Sequence, residues 1–306
     1  MSTGVVNLGT APRLLLSAYI SNLFGMNYKQ LEAVADKVYD KKDSKQNFEE
    51  SVLMNGIGVA QVKNEGGTIA LDSYGQGPGR RTYHQVYAKA MKVTMEHFND
   101  NMHMNVASVA SKELAKSLFH AKEILGASYF NNATSTSAPF VGLDGKALIA
   151  SDHPTGVGTT YSNLASTDFS ELALENAIIT IRNWIGYDGL KINVKTSGLK
   201  LLIPNNTIFD AHRILKSELR SGTADNDANA VKNMGVISEI IPWSFLTDTD
   251  CWFLLTNVPG LVHYNRESPQ THHYMEDTTL DSVYQIYERY SFDYFDPHAV
   301  FGSMGA

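Results

Sequence analysis

Residues 94–133 read TMEHFNDNMHMNVASVASKELAKSLFHAKEILGASYFNNA, and the reading of this stretch decides the architecture. It holds no proline, and its single glycine, Gly126, lies near its end. Apolar or small residues recur at Met102, Val106, Ala110, Leu114, Leu118, Leu125 and Tyr129, mostly four apart. That spacing draws one stripe along a helix of 3.6 residues per turn. Thr94 is placed to cap the helix, and Glu96 sits favourably near its positive end. At ~1.5 Å per residue the rod is about 50 to 60 Å long, whereas the average globular helix has about 11 to 12 residues. Such a rod suits a scaffold, a bundle or a shell subunit better than a compact enzyme. A coiled coil or bundle helix is the plain alternative, and the flanks must decide.

Upstream, from Gly56 to Lys92, the period changes to two. Ile57, Val59 and Gln61 alternate with Gly58, Ala60 and Val62; the turn residues Glu65-Gly66-Gly67 follow, then Thr68 to Leu71. A glycine-rich basic stretch from Ser73 to Arg81 leads into Thr82 to Lys92, where Tyr83, Gln85, Tyr87, Lys89 and Met91 alternate. The pattern predicts a long two-stranded hairpin with a loose tip. A lone hairpin buries too little surface to stand by itself, so it must lie on its own domain or on another chain. Before it, Asn27 is placed to cap a helix over Tyr28 to Val38, and the charged run from Asp40 to Lys45 breaks the pattern. This segment reads as a lead-in or as an arm on a neighbouring subunit.

Downstream, residues 136–256 alternate short strands and helices, as in a compact α/β unit. Asp168 or Ser170 caps a helix from Glu171 to Ile185, with Leu172, Ala173, Ile179 and Trp184 as candidate buried positions. Leu199 to Ile203 is a strand, Thr207 to Ser217 a helix, and Val236 to Ile241 and Trp252 to Leu255 are strands. Strand character returns over Gly260 to Arg266 and Ser282 to Phe295. In the latter, Tyr284, Ile286, Tyr290, Phe292 and Tyr294 share one face, and Gln285, Arg289, Ser291 and Asp293 the other.

Composition narrows function. A net charge of −7 argues against coating nucleic acid by basicity. One cysteine, Cys251, excludes an internal disulfide and fits a reducing compartment. No charged and apolar leader and no run of about 18 apolar residues is present, so neither a signal peptide nor a membrane helix is expected. Phosphate-loop, dinucleotide, nucleophile-elbow and HExxH motifs are all missing. Gly75-x-Gly77-x-Gly79 has the wrong spacing for a dinucleotide turn, and Arg80-Arg81 beside it reads as a solvated loop tip or a contact with a carboxylate of a partner, ahead of a phosphate site. Asp225-x-Asp227-x-Asn229 opens like a calcium loop but lacks its glycine and closing glutamate. Asp152 and His153 are adjacent, so their side chains diverge; a hydrolase built on them is the weaker functional alternative. No cofactor and no metal are expected.

The order of parts, an arm, a hairpin with a glycine-rich tip, a spine helix, an α/β insert and final strands, resembles the major capsid proteins of tailed bacteriophages with the Hong Kong 97-type shell fold. The wording is most similar to the Mu-like major head subunit group. The resemblance is carried by Ala150-Ser151-Asp152-His153-Pro154, by residues 163–170 and 173–175, and by Asp188-Gly189-Leu190-Lys191-Ile192-Asn193. Leu201-Leu202-Ile203-Pro204, residues 222–229 and 247–254, Arg289-Tyr290 and residues 296–303 complete it, over about residues 55 to 305.

The resemblance implies an α+β fold in four parts. These are an N-terminal arm (1–55), an extended β-hairpin loop (56–93), a peripheral domain of spine helix and C-terminal strands (94–135 and 257–306), and an axial domain (136–256). It implies no catalysis. Copies would self-assemble into the hexamers and pentamers of an icosahedral shell around double-stranded DNA, held on the inner face without sequence specificity. A scaffold protein and a portal are the implied partners, with a decoration protein as a further candidate, and the place is the virion capsid, assembled in the bacterial cytoplasm. A compartment shell of the encapsulin type is the related alternative. The residues assigned to contacts between subunits are Gly75, Gly77, Arg80, Arg81, Tyr83, Asp152 and His153.

Overall fold

A computed structural model describes residues 22, 24–54, 56–71, 75–96, 103–195, 197–218 and 228–305. Its spine is α2, His103–Asn131, a helix of 29 residues and thus about 44 Å long. Met102 lies outside the described residues. Of the rest of the stripe Leu114, Leu118 and Tyr129 are buried and Leu125 is half-buried, the side chains of Val106 and Ala110 lie outside what is described, and Ala115, Ala127 and Phe130 beside the stripe are also buried. Gly126 lets the helix be approached closely: a Cβ there would stand 3.3 Å from Trp243 and 3.4 Å from Ala35.

The stripe is covered by a four-stranded sheet in the order β1–β11–β12–β4, where β1 is Asp40–Asp43, β4 Gln85–Val93, β11 Leu261–Met275 and β12 Ser282–Tyr294. The tyrosine-rich face of β12 meets the spine as its alternation predicts: Tyr284, Ile286, Tyr290, Phe292 and Tyr294 are all buried. Ile286 packs with Leu114, Leu118 and Phe24, and Tyr129 donates to the Phe292 carbonyl at 2.7 Å.

A second sheet runs β7–β13–β10–β8–β9, built from Leu164–Ala165, Val300–Ser303, Trp252–Leu255, Leu199–Ile203 and Ile237–Pro242 respectively. Both its faces are covered. Trp252 and Leu254 of β10 point into a core with α3, Glu171–Arg182, whereas Phe253 and Leu255 point into the core of the spine helix. This two-sided burial explains why the strand reads as an unbroken apolar run rather than an alternation. The chain's last strand, β13, lies between β7 and β10, so the C-terminal segment ties the two cores together.

Several expectations are corrected. The hairpin pairs β2, Phe48–Met54, with β3, Gln76–Tyr83, and residues 56–71 form no strand. The ladder starts upstream because it gains cross-strand partners there, Phe48 opposite Tyr83 and Glu50 opposite Arg81. The expected strand from Thr82 to Lys92 divides at His84, where the chain leaves the hairpin for the four-stranded sheet. His84 is buried, its ring nitrogens 2.9 Å from Ser291 Oγ and 3.0 Å from Ser44 Oγ. The expected helix over Tyr28–Val38 is broken: residues 24–29 are helical, and after a bend α1 spans only Ala35–Val38.

Helix α3 is capped by Ser170, whose hydroxyl accepts from the Ala173 N–H, and it stops at Arg182. It buries Ala173, Leu174, Ala177, Ile178 and Ile181, so Leu172 and Ile179 fall on the opposite face and are exposed. Trp184, beyond its end, is buried as expected. Residues Asp225 and Asp227 lie outside the described residues. Asn229 caps the short helix Ala230–Met234 by accepting from the Lys232 N–H.

Candidate functional site: the unburied loop and its anchors

Between β2 and β3 the described residues 56–71 form an open loop whose only regular feature is a turn at Glu65-Gly66, with Gly66 at φ 76°. Its apolar side chains face solvent: Ile57 is 60% exposed, Val59 73%, Val62 93%, Ile69 72% and Leu71 97%. Lone exposed aliphatics are ordinary, but this many in one segment mark a surface made for contact.

The base of the loop is held by the chain itself. A Cβ at Gly56 would come within 2.7 Å of Asp188, and one at Gly77 within 3.0 Å of the Leu53 carbonyl and 3.3 Å of the Tyr187 hydroxyl. The loop therefore leaves the body across the 187–188 turn on a close approach that glycine permits. Arg80 forms an ion pair with Asp293 and donates to the carbonyls of Val141 and, at 3.2 Å, Tyr294. Thr82 donates to the same Asp293 carboxylate.

The residues expected at contacts thus separate. Arg80 and Gly77 work inside the chain as anchors, and Gly75 is half-buried beside them. Arg81 and Tyr83 stay on the exposed face of β3, Arg81 3.3 Å from Glu50 and over the Phe48 ring at 4.9 Å. Asp152 is exposed and paired with Lys146, whose hydrogen bond holds the carboxyl below the usual carboxylate range.

His153 is fully buried, with Nδ1 2.6 Å from Asp144 Oδ2 and Nε2 3.0 Å from Asn163 Oδ1. Its ring stacks on Tyr161 at 5.1 Å, and the other face of this group is His298, 4.1 Å from the Tyr161 centroid and itself 2.6 Å from Asp296. Asn163 adds donors to the carbonyls of Leu148, Pro297 and Val300. This cluster sutures the segment 144–163 to the C-terminal strand. Both nitrogens of His153 are engaged, and Asp152 points away, so the adjacent pair forms no dyad.

Other charged groups do their work out of sight. Lys122 on α2 lies 2.5 Å from Glu288 on β12 and 2.9 Å from the Tyr28 hydroxyl, and Tyr28 donates to the second Glu288 oxygen at 3.2 Å. Burial, then the Glu288 charge, raises the Tyr28 phenol far above its ordinary value. At the next position of the helix, Glu123 accepts from the Ala35 N–H at 3.1 Å and the Trp243 indole N–H at 2.6 Å. Burial pushes its carboxyl up against the pull of those hydrogen bonds.

His263 on β11 has neither ring nitrogen hydrogen-bonded, and it stacks on Phe292 at 4.6 Å. Burial, reinforced by Lys122 and Lys41, pushes its pKa down to about 3. Asp36 lies 3.8 Å away but is half exposed, and its solvated charge does not offset the burial. The folded state keeps His263 neutral while the unfolded chain takes up a proton below its ordinary value of about 6.5. The stability it supports is therefore complete above pH ~6.5 and lost as pH falls toward 3, by about 1.4 kcal/mol per unit, or roughly 2 kcal/mol at pH 5. His263→Phe should flatten this slope in thermal melts between pH 7 and pH 5 relative to the unsubstituted chain. An unchanged slope would mean that other groups set the acid limit.

Among the described residues no group of three or more His, Cys, Asp or Glu side chains is placed to hold a metal ion, and no helix is long and apolar enough to cross a membrane. No protein-family model matches the chain, and no curated protein matches it. Solved structures do. The capsid of cyanophage P-SCSP1u superposes with a TM-score of 0.58 at 8% identity, covering 88% of this chain and 86% of that one. The capsid of a native GTA particle gives 0.54 at 10% identity, covering 88% and 89%. The virus-like particle from Pyrococcus furiosus gives 0.52 at 10% identity, covering 93% and 97%. At such identities the likeness is one of architecture, and that architecture is the Hong Kong 97-type capsid fold.

Proposed function

We propose that the chain is a structural, non-catalytic shell subunit, a major capsid protein whose copies tile a closed particle. The observation that carries this reading is the loop of residues 56–71, apolar and unburied on a body that is otherwise well packed. A surface of that kind gains its burial from another copy, and heterologous contacts that close on themselves make rings. The shared fold with capsid and virus-like particles supports it.

In this reading residues 48–83, the β2–β3 hairpin with its loop, are the extended loop, the spine helix with the four-stranded sheet forms the peripheral part, and 136–256 form the axial part that meets its neighbours in hexamers and pentamers. The segment before the hairpin contributes β1 to the sheet by parallel pairing with β11. Packaged double-stranded DNA, a scaffold protein and a portal are its working partners, the virion is its place, and the Mu-like head subunits are the group it is assigned to. A second reading, a compartment that holds cargo other than a phage genome, is favoured only by the likeness to a virus-like particle.

Expression of the chain with the scaffold and portal genes of its own genome, followed by sedimentation and electron microscopy, tests the proposal. Closed shells that protect DNA from nuclease are expected. Shells that hold protein and no protected DNA favour the compartment, and a chain that stays monomeric under every assembly condition overturns both.

A further inference from the structure

We propose that the stack of His153, Tyr161 and His298 is a pH-sensitive clasp, in which both imidazoles carry two N–H protons in the folded state and give one up as the pH rises. The inference does not depend on the shell-subunit reading. It follows from what each ring nitrogen faces. His153 Nδ1 is 2.6 Å from Asp144 Oδ2, and Nε2 is 3.0 Å from Asn163 Oδ1. The orientation of that amide is fixed by its other bonds: its oxygen accepts from the Ala150 N–H at 2.8 Å, and its nitrogen donates to three carbonyls. His298 Nδ1 is 2.6 Å from Asp296 Oδ1, and Nε2 is 3.0 Å from the Ile185 carbonyl. Carboxylate and carbonyl oxygens only accept, and a neutral imidazole has a single N–H. A neutral ring at either place would turn a lone pair on an acceptor, so each ring donates twice and is an imidazolium.

The surroundings suit two cations. Both histidines are buried, and Asp144 and Asp296 balance their charge. The Tyr161 ring lies between them, 5.1 Å from the His153 centroid and 4.1 Å from that of His298, and its two faces attract positive charge. Burial, then Asp296 and Asp144, hold the Tyr161 phenol far above its ordinary value, so it stays neutral; its hydroxyl is 3.3 Å from His298 Nδ1, farther than the carboxylate. The other titratable groups nearby are Asp152, paired with Lys146 at the rim, and Tyr294, which donates to the Phe140 and Lys146 carbonyls. The clasp holds a weak element. His153–Pro154 and Thr160–Tyr161 form a ladder of two residues a side, too short to stand alone. The stack fastens this hairpin to the turn Pro297–Ala299 and to Ile185 beyond α3. An unfolded imidazole releases its proton near pH ~6.5. Above that pH the closed clasp holds more protons than the open chain, so it is at full strength below pH ~6.5 and weakens as the pH rises, by about tenfold per pH unit for each ring. This is the opposite direction to His263.

Two measurements on the full chain test the clasp. Solid-state nitrogen NMR of the histidine-labelled chain at pH ~7.5, well above the ordinary imidazole value, reads protonation directly. At least two of its ten histidines should carry two N–H groups there. Hydrogen–deuterium exchange, followed by mass spectrometry from pH 6.5 to 8.5 and corrected for the chemistry of exchange, reads the opening of residues 150–163. Opening should rise by about a hundredfold per pH unit while both rings stay charged, and strand Trp252–Leu255 should not follow it. His298→Gln keeps an N–H donor but has no proton to lose, so it should cut the rise to about tenfold per unit. Histidines that are all neutral at that pH overturn the proposal. So does exchange over 150–163 that does not rise with pH, or a rise that His298→Gln leaves unchanged.

Discussion

On the shell-subunit proposal, removing residues 57–71 is expected to abolish particle assembly and to leave the folded body intact. The segment carries Ile57, Val59, Val62, Ile69 and Leu71, all exposed, and contributes nothing to the buried clusters. Full burial of such side chains stabilises by about 1.5 to 3 kcal/mol each, so their loss removes several kcal/mol from every contact that uses the loop, before the costs of association are counted. A shell is held by many copies of one contact, and a deficit of this size in each prevents closure. The body should not notice. Met54 and Gln76 are partners at the end of the β2–β3 ladder, and residues 55–56 and 72–75 remain to join them. Sedimentation should show only slow species, while circular dichroism and the melting temperature stay within a few degrees of the full chain. Shells of normal stability from the shortened chain would refute the account of the loop.

The position of that deletion shows what was legible in the sequence and what was not. Period and breakers alone suggest cutting near Gly66 to Arg80. In the structure this cut would take out β3 and the Arg80–Asp293 ion pair, and the body would suffer with the loop. Alternation of Ile57, Val59 and Gln61 looked like a strand because small and apolar residues alternate in loops too when a partner is to cover them. The true strand, Phe48–Met54, is set by pairs that lie far apart in the chain, such as Phe48 with Tyr83. Pairing partners at that distance leave no local trace.

The strongly periodic elements were readable. The spine helix, the buried face of β12 and the unbroken apolar run of β10 each declare themselves within one turn or one strand. On α3 the same method misplaced Leu172 and Ile179, because large aliphatics lie on both faces: Leu174, Ile178 and Ile181 are buried with Ala173 and Ala177, while Leu172 and Ile179 are exposed. With apolar residues on both faces, periodicity alone does not say which face is inside. Of the residues expected at contacts, Arg80 and His153 have partners inside the chain that the sequence does not show, Asp293 and Asn163.

The charges within the spine helix were missed altogether, and they carry the largest expected effect of a single substitution. Lys122 and Glu288 are 166 positions apart, and their side chains are 8% and 1% exposed. The Lys122 ammonium also lies 5.2 Å from the Tyr290 ring centroid and 5.5 Å from that of Tyr28. Glu288 shares the β12 face of Ile286 and Tyr290, so on pattern alone it is an error in an apolar stripe. Its compensation is the lysine that the helix brings opposite. Replacing one partner strands the other charge in this setting and costs about 3 to 5 kcal/mol. Lys122→Met should therefore lower the melting temperature by many degrees and weaken assembly secondarily. The double substitution Lys122→Met with Glu288→Leu removes both charges and keeps the volume, and it should restore most of the loss, since replacing a buried pair by apolar residues is often neutral or stabilising. Urea unfolding of the two single variants and the double variant measures the coupling. If the losses simply add, the pair is not acting as a unit, and the spine is joined to its sheet by the surrounding tyrosines and Phe292 alone.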